Sequence, residues 1–305
     1  MRVLILDGHN LIHRARAGYH RGDHSVTFMF FRSLRPLVEK MNPDKVYFVL
    51  EGSPKKRIAT DANYKANRKI DETDPKWQTM QDFFRQKDEC VELLYKAFPF
   101  SIVRHPDFEA DDIIAHYARL HKEDDVIIAS GDSDFIQLLT DENPQIKLYH
   151  PIKKDFVIPP DYNYLEWKSI RGDATDNVPG IPRHGDKTAE KIMRDPELFA
   201  KKMEDPEWKA QFERNLSLIR IDPLTEDEIA GIHVVEPGLQ PSLIQEQFQA
   251  WEFSFASKEK PTEVEFYITN PVNNKKANFG NGTQISFIVS SKDLVNNFYN
   301  TGIKL

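Results

Sequence analysis

Three short apolar runs that each close at an acidic residue constrain this chain more than any other feature of its sequence. Arg2–Asp7 (RVLILD) ends on Asp7, Val46–Leu50 (VYFVL) meets Glu51, and Val126–Ala129 leads through Ser130 and Gly131 to Asp132. A further apolar stretch covers Ser101–Val103, and helical patterns fill the gaps at Val26–Met41, Trp77–Phe98 and Ala110–His121. Short strands alternating with helices of this length predict an α/β fold, a mainly parallel sheet with helices on both faces. Ligands of such sheets bind beyond the carboxyl ends of the strands. Asp7, Glu51 and Asp132 are therefore expected on one rim.

The 305 residues, 40% of them hydrophobic, suffice for an α/β core and a second, smaller unit. No apolar run approaches the roughly 20 residues of a membrane span, and the start MRVLILDGHN lacks the layout of a signal peptide. The lone Cys90 rules out an internal disulfide framework and zinc sites built on several thiolates. A cytoplasmic, monomeric protein is the expectation. The net charge of −7 argues against a polyanion ligand only on average. Residues 55–69 (KKRIATDANYKANRK) hold six Lys or Arg against one Asp, among them Lys55, Lys56, Arg57, Lys65 and Arg68. Residues 13–21 (HRARAGYHR) add Arg14, Arg16 and a third arginine, interleaved with rings. Both stretches are candidate nucleic-acid contacts.

Organisation along the chain follows the same texture. Residues 1–158 read as the α/β unit, with a mobile basic excursion at about 52–76 where apolar residues are scarce. Residues 159–255 turn helical, from Tyr162–Arg171 to about Trp251. The tail at 256–305 alternates at Val264, Phe266 and Ile268 and again at Ile285, Phe287 and Val289, either side of NFGNGT (278–283). That pattern predicts a hairpin, followed by a short helix near Asp293–Tyr299.

Acidic residues recur in four motifs. Asp7 closes the first strand in LILDGHN. In FEADD, Glu109 and Asp112 lie three apart and share a helix face, with Asp111 at its edge. Asp132 and Asp134 follow a strand in SGDSD, and Asp173 and Asp176 are three apart in GDATDN. Taken singly, each has a structural explanation: a turn, a helix cap, an Asx turn. Gathered on one rim, so many acids would repel one another unless cations were bound. An oxygen-only donor set points to Mg²⁺, with Mn²⁺ as a substitute. Two such ions about 4 Å apart can hold a scissile phosphate, activate water and stabilise the leaving oxygen.

Residues 172–192 (GDATDNVPGIPRHGDKTAEKI) place a glycine-bounded turn between two helices. Gly180 and Gly185 would let the backbone approach a phosphate, with Lys187 and Thr188 as added donors at a helix start. A hairpin of this kind grips a duplex by its backbone, without reading bases.

The ordered set LILDGHN, YKANR, FEADD, SGDSD and GDATDNVPGIPRHGDKTAEKI resembles the 5′ nuclease superfamily over about residues 1–225. That superfamily includes flap endonucleases, the 5′ nuclease domain of bacterial DNA polymerase I and phage 5′ exonucleases, among them the T-even ribonuclease H that removes RNA primers. The resemblance implies a PIN-like domain, a helix–three-turn–helix element at 172–192 and a helical arch over the site that passes a 5′ single strand. It further implies metal ligation by Asp7, Glu109, Asp111, Asp112, Asp132, Asp134, Asp173 and Asp176. Lys65 and Arg68 match family positions that reach the scissile phosphate, and Tyr64 beside them either stacks a base or packs. Two positions depart from the family pattern. Glu51 stands where Asp is usual, and Arg183-His184 replaces a smaller pair at a hairpin that often binds K⁺. The expected activity is structure-specific 5′-3′ cleavage at DNA ends and flaps, or of RNA primers in an RNA–DNA hybrid. The tail at 256–305 is expected to dock a replication partner. A PIN-type single-strand ribonuclease and a non-catalytic DNA clamp are the alternatives. The duplex grip disfavours the first and the complete acid set the second. A haloacid-dehalogenase-like phosphatase would need an acid at the position of His9.

Overall fold

The structure is a computed structural model that describes residues 1–17, 24–68, 73 and 77–238, plus the backbone of three short strands further on. In chain order the elements begin β1 (Arg2–Asp7), α1 (Gly8–Arg16), α2 (Ser25–Met41), β2 (Lys45–Leu50) and α3 (Lys55–Thr60). Then come α4 (Trp77–Ala97), β3 (Phe100–Arg104), α5 (Ala110–Leu120), β4 (Asp125–Ala129), β5 (Ile146–His150) and β6 (Asp155–Phe156). Helices α6 (Tyr164–Arg171), α7 (Asp186–Met193), α8 (Pro196–Met203), α9 (Pro206–Ile219) and α10 (Glu226–Ala230) precede β7 (His233–Val235).

Seven strands form one sheet in the order β6-β5-β4-β1-β2-β3-β7. Pairs from β5 through β3 are parallel, and β6 and β7 add antiparallel edges. Central β1 is buried on both faces, which is why it reads as a continuous apolar run rather than an alternation. Its side chains still alternate between two cores. Leu4 and Leu6 join Phe30, Phe48, Phe83 and Leu94 on the face covered by α1, α2 and α4. Val3 and Ile5 join Ile113, Ile114, Ile128 and Phe135 on the face covered by α5. Burying each such side chain contributes about 1.5–3 kcal/mol, so the two cores pin the strand ends that carry the acids. A third core of Ile170, Ile181, Ala189, Ile192, Trp208 and Phe212 holds α6 to α9 together.

Helix α1 follows Asp7 directly, because the Asp7 side chain accepts the Asn10 N–H at 3.0 Å and caps it. Several expectations need correction. Strand β5 was hidden by Lys147, whose exposed side chain breaks the apolar run IKLYH. The expected helical run to about Trp251 is interrupted: α10 ends before Gly231, and the β-branched pair Val234-Val235 then joins the sheet edge as β7, while residues 239–251 lie outside the described residues. Nor is 52–68 a free excursion. Its Tyr64 is 5% exposed, the Lys65 N–H donates to Asp176 O at 2.9 Å, and Asn177 Nδ2 donates to Asn63 O at 2.7 Å. The rest of the expected arch, apart from Thr73, lies outside the described residues up to 76.

Beyond residue 238, β8 (Phe255–Ala256), β9 (Glu265–Ile268) and β10 (Ile285–Ile288) form a separate antiparallel sheet, with Phe266 opposite Phe287. Strands β9 and β10 fall on the two alternating stretches of the expected hairpin, and β8 is an addition to it. Its turn at 278–283 and the expected helix near Asp293–Tyr299 lie outside the described residues.

Candidate metal centre and nucleic-acid interface

The carboxyl ends of β1, β2 and β4, the start of α5 and the α6–α7 connection meet at one rim. Asp7, 5% exposed, takes a 2.6 Å hydrogen bond from Ser130 Oγ, which also accepts the Asp132 N–H at 2.9 Å. Burial lifts the Asp7 pKa to about 6, with Asp132 adding to the rise and Ser130 opposing it. Glu51 accepts the Ala110 N–H at 3.1 Å, and burial with Glu109 and Asp7 nearby lifts it to about 7. Asp111 stands among Asp132, Glu51 and Asp7; burial first and then these like charges push it well above the usual carboxylate range. Asp132 is raised by burial and by Asp176 and Asp173, against the pull of Lys168. Asp134, Asp173 and Asp176 each bring a carboxylate oxygen within 4.8 Å of the other two. Glu51, although it departs from the family residue, is therefore inside the cluster.

Glu109 and Asp112 answer to a different set of partners. Arg57 Nη1 reaches Glu109 Oε2 and Asp112 Oδ2, both at 2.7 Å, and Nη2 reaches Asp112 Oδ1 at 2.8 Å. Its Nε donates to Leu218 O at 3.0 Å. The Glu109 N–H turns back to Asp112 Oδ2 at 3.3 Å, so Asp112 also caps α5. Three-residue spacing does pair Glu109 with Asp112, yet it is Asp111, one position off that face, that joins Asp7, Glu51 and Asp132.

Cations from the basic segment press on the same acids. Lys65 contacts Glu109 and lies 3.7 Å from Asp176, while Arg68 contacts Asp176. Lys65 has φ +53°, a left-handed conformation that directs its N–H at Asp176 O. Tyr64 packs with Val178, Leu218 and Ile219, and its hydroxyl donates to Asp176 at 2.9 Å and Glu109 at 3.1 Å. Tyr64 is thus a packing residue, and Arg57 an internal clamp; neither is a surface contact for nucleic acid. Lys55 and Lys56 stay exposed, paired with Asp107 at 2.6 Å and Glu228 at 3.4 Å. Arg14 is half-buried, and Arg16 lies over the Phe83 ring and against Met80 Sδ.

One buried residue escaped the sequence reading. Lys168, 4% exposed on α6, contacts Asp134 and sits 2.6 Å from Asp173 Oδ2. Although burial opposes it, Lys168 holds the Asp173 carboxyl below its usual range. Its only sequence signal is a Lys beside Ser169 and Ile170 on the inward side of a helix, five residues before Asp173. Asn10 and Ser130, which orient Gly131 and Asp7, were likewise unmarked.

In the 172–192 hairpin the two singled-out glycines do different jobs. A Cβ on Gly180 would stand 2.0 Å from Arg171 O, so this glycine lets the turn close on α6 rather than on a ligand. Gly185 precedes the first turn of α7 with nothing within 4 Å of its Cβ position. Lys187 and Thr188 are exposed there. Free N–H groups, an open glycine and a helix N-terminus together suit a phosphate.

Among known proteins, residues 2–165 match the family model described as the 5'-3' exonuclease, N-terminal resolvase-like domain. DNA polymerase I of Bacillus subtilis is 26% identical over 266 residues, covering 76% of this chain and 29% of the relative. A 5'-3' exonuclease of Mycobacterium tuberculosis is 28% identical over 188 residues, covering 54% of this chain and 58% of its own length. The chain thus spans 29% and 58% of these two relatives, under two thirds of either. In fold it is similar to a bacteriophage T5 flap endonuclease solved with DNA and metal ions, at TM-score 0.61 and 20% identity, over 76% of this chain and 93% of that one. The T5 5'-exonuclease solved with zinc gives TM-score 0.60 and 20% identity, over 82% and 99%. The match over residues 2–165, more than half of the chain, shows that it belongs to the 5'-3' exonuclease family with an N-terminal resolvase-like domain.

Proposed function

We propose that this chain is a Mg²⁺-dependent, structure-specific 5′-3′ exonuclease and flap endonuclease that hydrolyses phosphodiesters of DNA in replication or repair. The observation that carries this reading is the meeting of Asp134 with Asp173 and Asp176, within 4.8 Å, which joins the sheet rim to the duplex-gripping hairpin. The donor set is entirely carboxylate oxygen, and burial first, then the neighbouring Asp132, Glu51 and Asp7, raise Asp111 well above its usual range, so a hard cation bound there would relieve both. Asp7, Glu51, Asp111, Asp132, Asp134, Asp173 and Asp176 would hold them, directly or through water. Bound there, divalent cations supply an activated water and neutralise the leaving oxygen.

This chain's own groups do the rest. Lys65 and Arg68, now paired with Glu109 and Asp176, offset charge that builds on the scissile phosphate. The start of α7, with Lys187 and Thr188, holds a duplex strand by its backbone, and K⁺ at the hairpin would neutralise the same phosphate. Residues 1–158 serve as the nuclease unit and 159–255 as the duplex-binding unit. An RNA–DNA hybrid presents the same strand end and backbone, so RNA primers fall within the substrate range. We further assign residues 256–305 to the docking of a replication partner. No helix among the described residues is long and apolar enough to cross a membrane. Separately, we propose a cytoplasmic monomer.

A 5′-labelled flap duplex incubated with Mg²⁺, with EDTA, and with an Asp134→Ala variant tests the reading. The wild type with Mg²⁺ should release short 5′ products, and the other two should lose at least about 10²-fold in rate, given the size of single electrostatic contributions. Cutting that survives EDTA, or an unimpaired variant, would overturn it.

A further inference from the structure

At the β5 end of the rim several donors converge on Gly131, the residue between Ser130 and Asp132. Asn10 Oδ1 accepts the Gly131 N–H at 3.1 Å. One helical turn further along α1, Arg14 lies on the same face. His150, the last residue of β5, places Cε1 3.7 Å from where a Cβ on Gly131 would stand. Its Nδ1 accepts the N–H groups of Ile152 and Lys153 at 3.3 and 3.4 Å, which leaves Nε2 to carry the ring proton as a donor. Burial, and then Lys153 and Arg14, lower the His150 pKa, so the three groups lie within electrostatic reach of one another.

None of the three takes part in an ion pair among the described residues, and Arg14, half-buried, has no hydrogen-bond partner there either. Several other surface cations do have acid partners: Arg2 and Lys147 with Asp125, Arg171 with Asp186, Arg194 with Asp161. A cationic corner beside an acid cluster lowers the repulsion that a phosphate approaching those acids would otherwise meet.

The geometry points to a subsite, formed by Arg14, His150 and Lys153 at the gap left by Gly131, for a backbone phosphate of the bound nucleic acid, one residue from Asp132. This rests on the nuclease reading above. Strand order puts β5 on the far side of β4 and β1 from β2, after which the basic segment leaves the sheet. Lys65 and Arg68 therefore attend one flank of the acids and this subsite the other, so the strand is held on both sides of the cut. Lys153 is exposed and the turn after β5 is open, which suits a passing phosphodiester better than an enclosed terminal phosphate.

Binding of a flap duplex in EDTA, read by fluorescence anisotropy over a salt series, tests this with the full chain and an Arg14→Gln/Lys153→Gln variant. The variant should bind at least about 10-fold more weakly, with a log–log salt slope smaller by roughly 2, and do so equally for 5′-phosphate and 5′-hydroxyl ends. Its unfolding midpoint should match the wild type, since neither side chain has an internal partner. An unchanged slope overturns the subsite while leaving the nuclease reading intact if the wild type binds and cuts. A loss confined to 5′-phosphorylated ends overturns it in favour of a terminal-phosphate site. A wild type that ignores the flap duplex removes both.

Discussion

Replacing Asp7 by Asn should stabilise the metal-free protein and do so only above mildly acidic pH. The carboxyl is buried beside Asp132, and its pKa rises from 3.8 to about 6 on folding. An acid raised in this way ionises earlier in the unfolded chain than in the folded one. Its neutral form is therefore fully compatible with folding below about pH 4, and stability is lost as pH climbs through the folded value near 6. The difference corresponds to about 3 kcal/mol at neutral pH. Asn keeps the hydrogen-bonding shape: its carbonyl can accept the Asn10 N–H, and its amide can donate to Ser130 Oγ. Urea unfolding in EDTA at several pH values should show the variant ahead by about 3 kcal/mol near neutrality and level with the wild type near pH 4. Mg²⁺ at about 1,000 times its Kd should reverse the order, because a ligand at that excess stabilises the wild type by about 4.1 kcal/mol. A gap that stays constant with pH would refute the argument, since it would mean that the Asp7 charge is not what the fold strains against.

Arg57→Met strips two buried carboxylates of their shared partner and should cost about 3–5 kcal/mol in chemical unfolding, with Asp112→Asn in the same chain recovering part of it; an unchanged midpoint with weaker DNA binding would instead put Arg57 on the surface. Lys168→Met should destabilise the protein in EDTA and enlarge the stabilisation by Mg²⁺, because Asp134 and Asp173 lose their internal cation; equal Mg²⁺ responses in thermal melts would argue against that role. Gly180→Ala should destabilise strongly, with its Cβ 2.0 Å from a backbone oxygen, whereas Gly185→Ala, with free space and φ −78°, should shift the melting midpoint little.

The rim was legible in the sequence because its signal is local. A buried parallel strand must be apolar throughout, so an acid at its end marks both the strand's end and the side on which ligands bind, as at Asp7 and Glu51. Strands toward the flanks of the sheet carry no such mark. In β5, next to the edge, Lys147 faces solvent, and edge strand β7 is only three residues of a mixed stretch after Gly231. Spacing placed Glu109 and Asp112 together correctly but could not say which way the pair faces. That depends on Arg57, which is more than fifty residues earlier and is brought there by the packing of Tyr64 against Val178 and Leu218. The basic count of residues 55–69 read as one solvated surface for the same reason: a charge tally does not know that Arg57 and Lys65 have acids waiting for them. Lys168 was invisible because a Lys inside a helix is ordinarily a solvated one.

The abundance of acids then has a two-part explanation. Glu109 and Asp112 are neutralised by Arg57 with help from Lys65 and Tyr64, which fastens α3 and the basic segment to the start of α5. Asp7, Glu51, Asp111 and Asp132 have no ion pair with a guanidinium among the described residues, and all four are pushed upward by burial and then by neighbouring carboxylates. Asp176 belongs to both groups, since its carboxylate meets Tyr64 and Arg68 while its backbone oxygen takes the Lys65 N–H. A cation settling at Asp134, Asp173 and Asp176 would compete with Arg68 and Lys168 for the same oxygens. The groups so released are the ones placed to meet a phosphate, which couples filling of the acid cluster to readiness of the cationic flank.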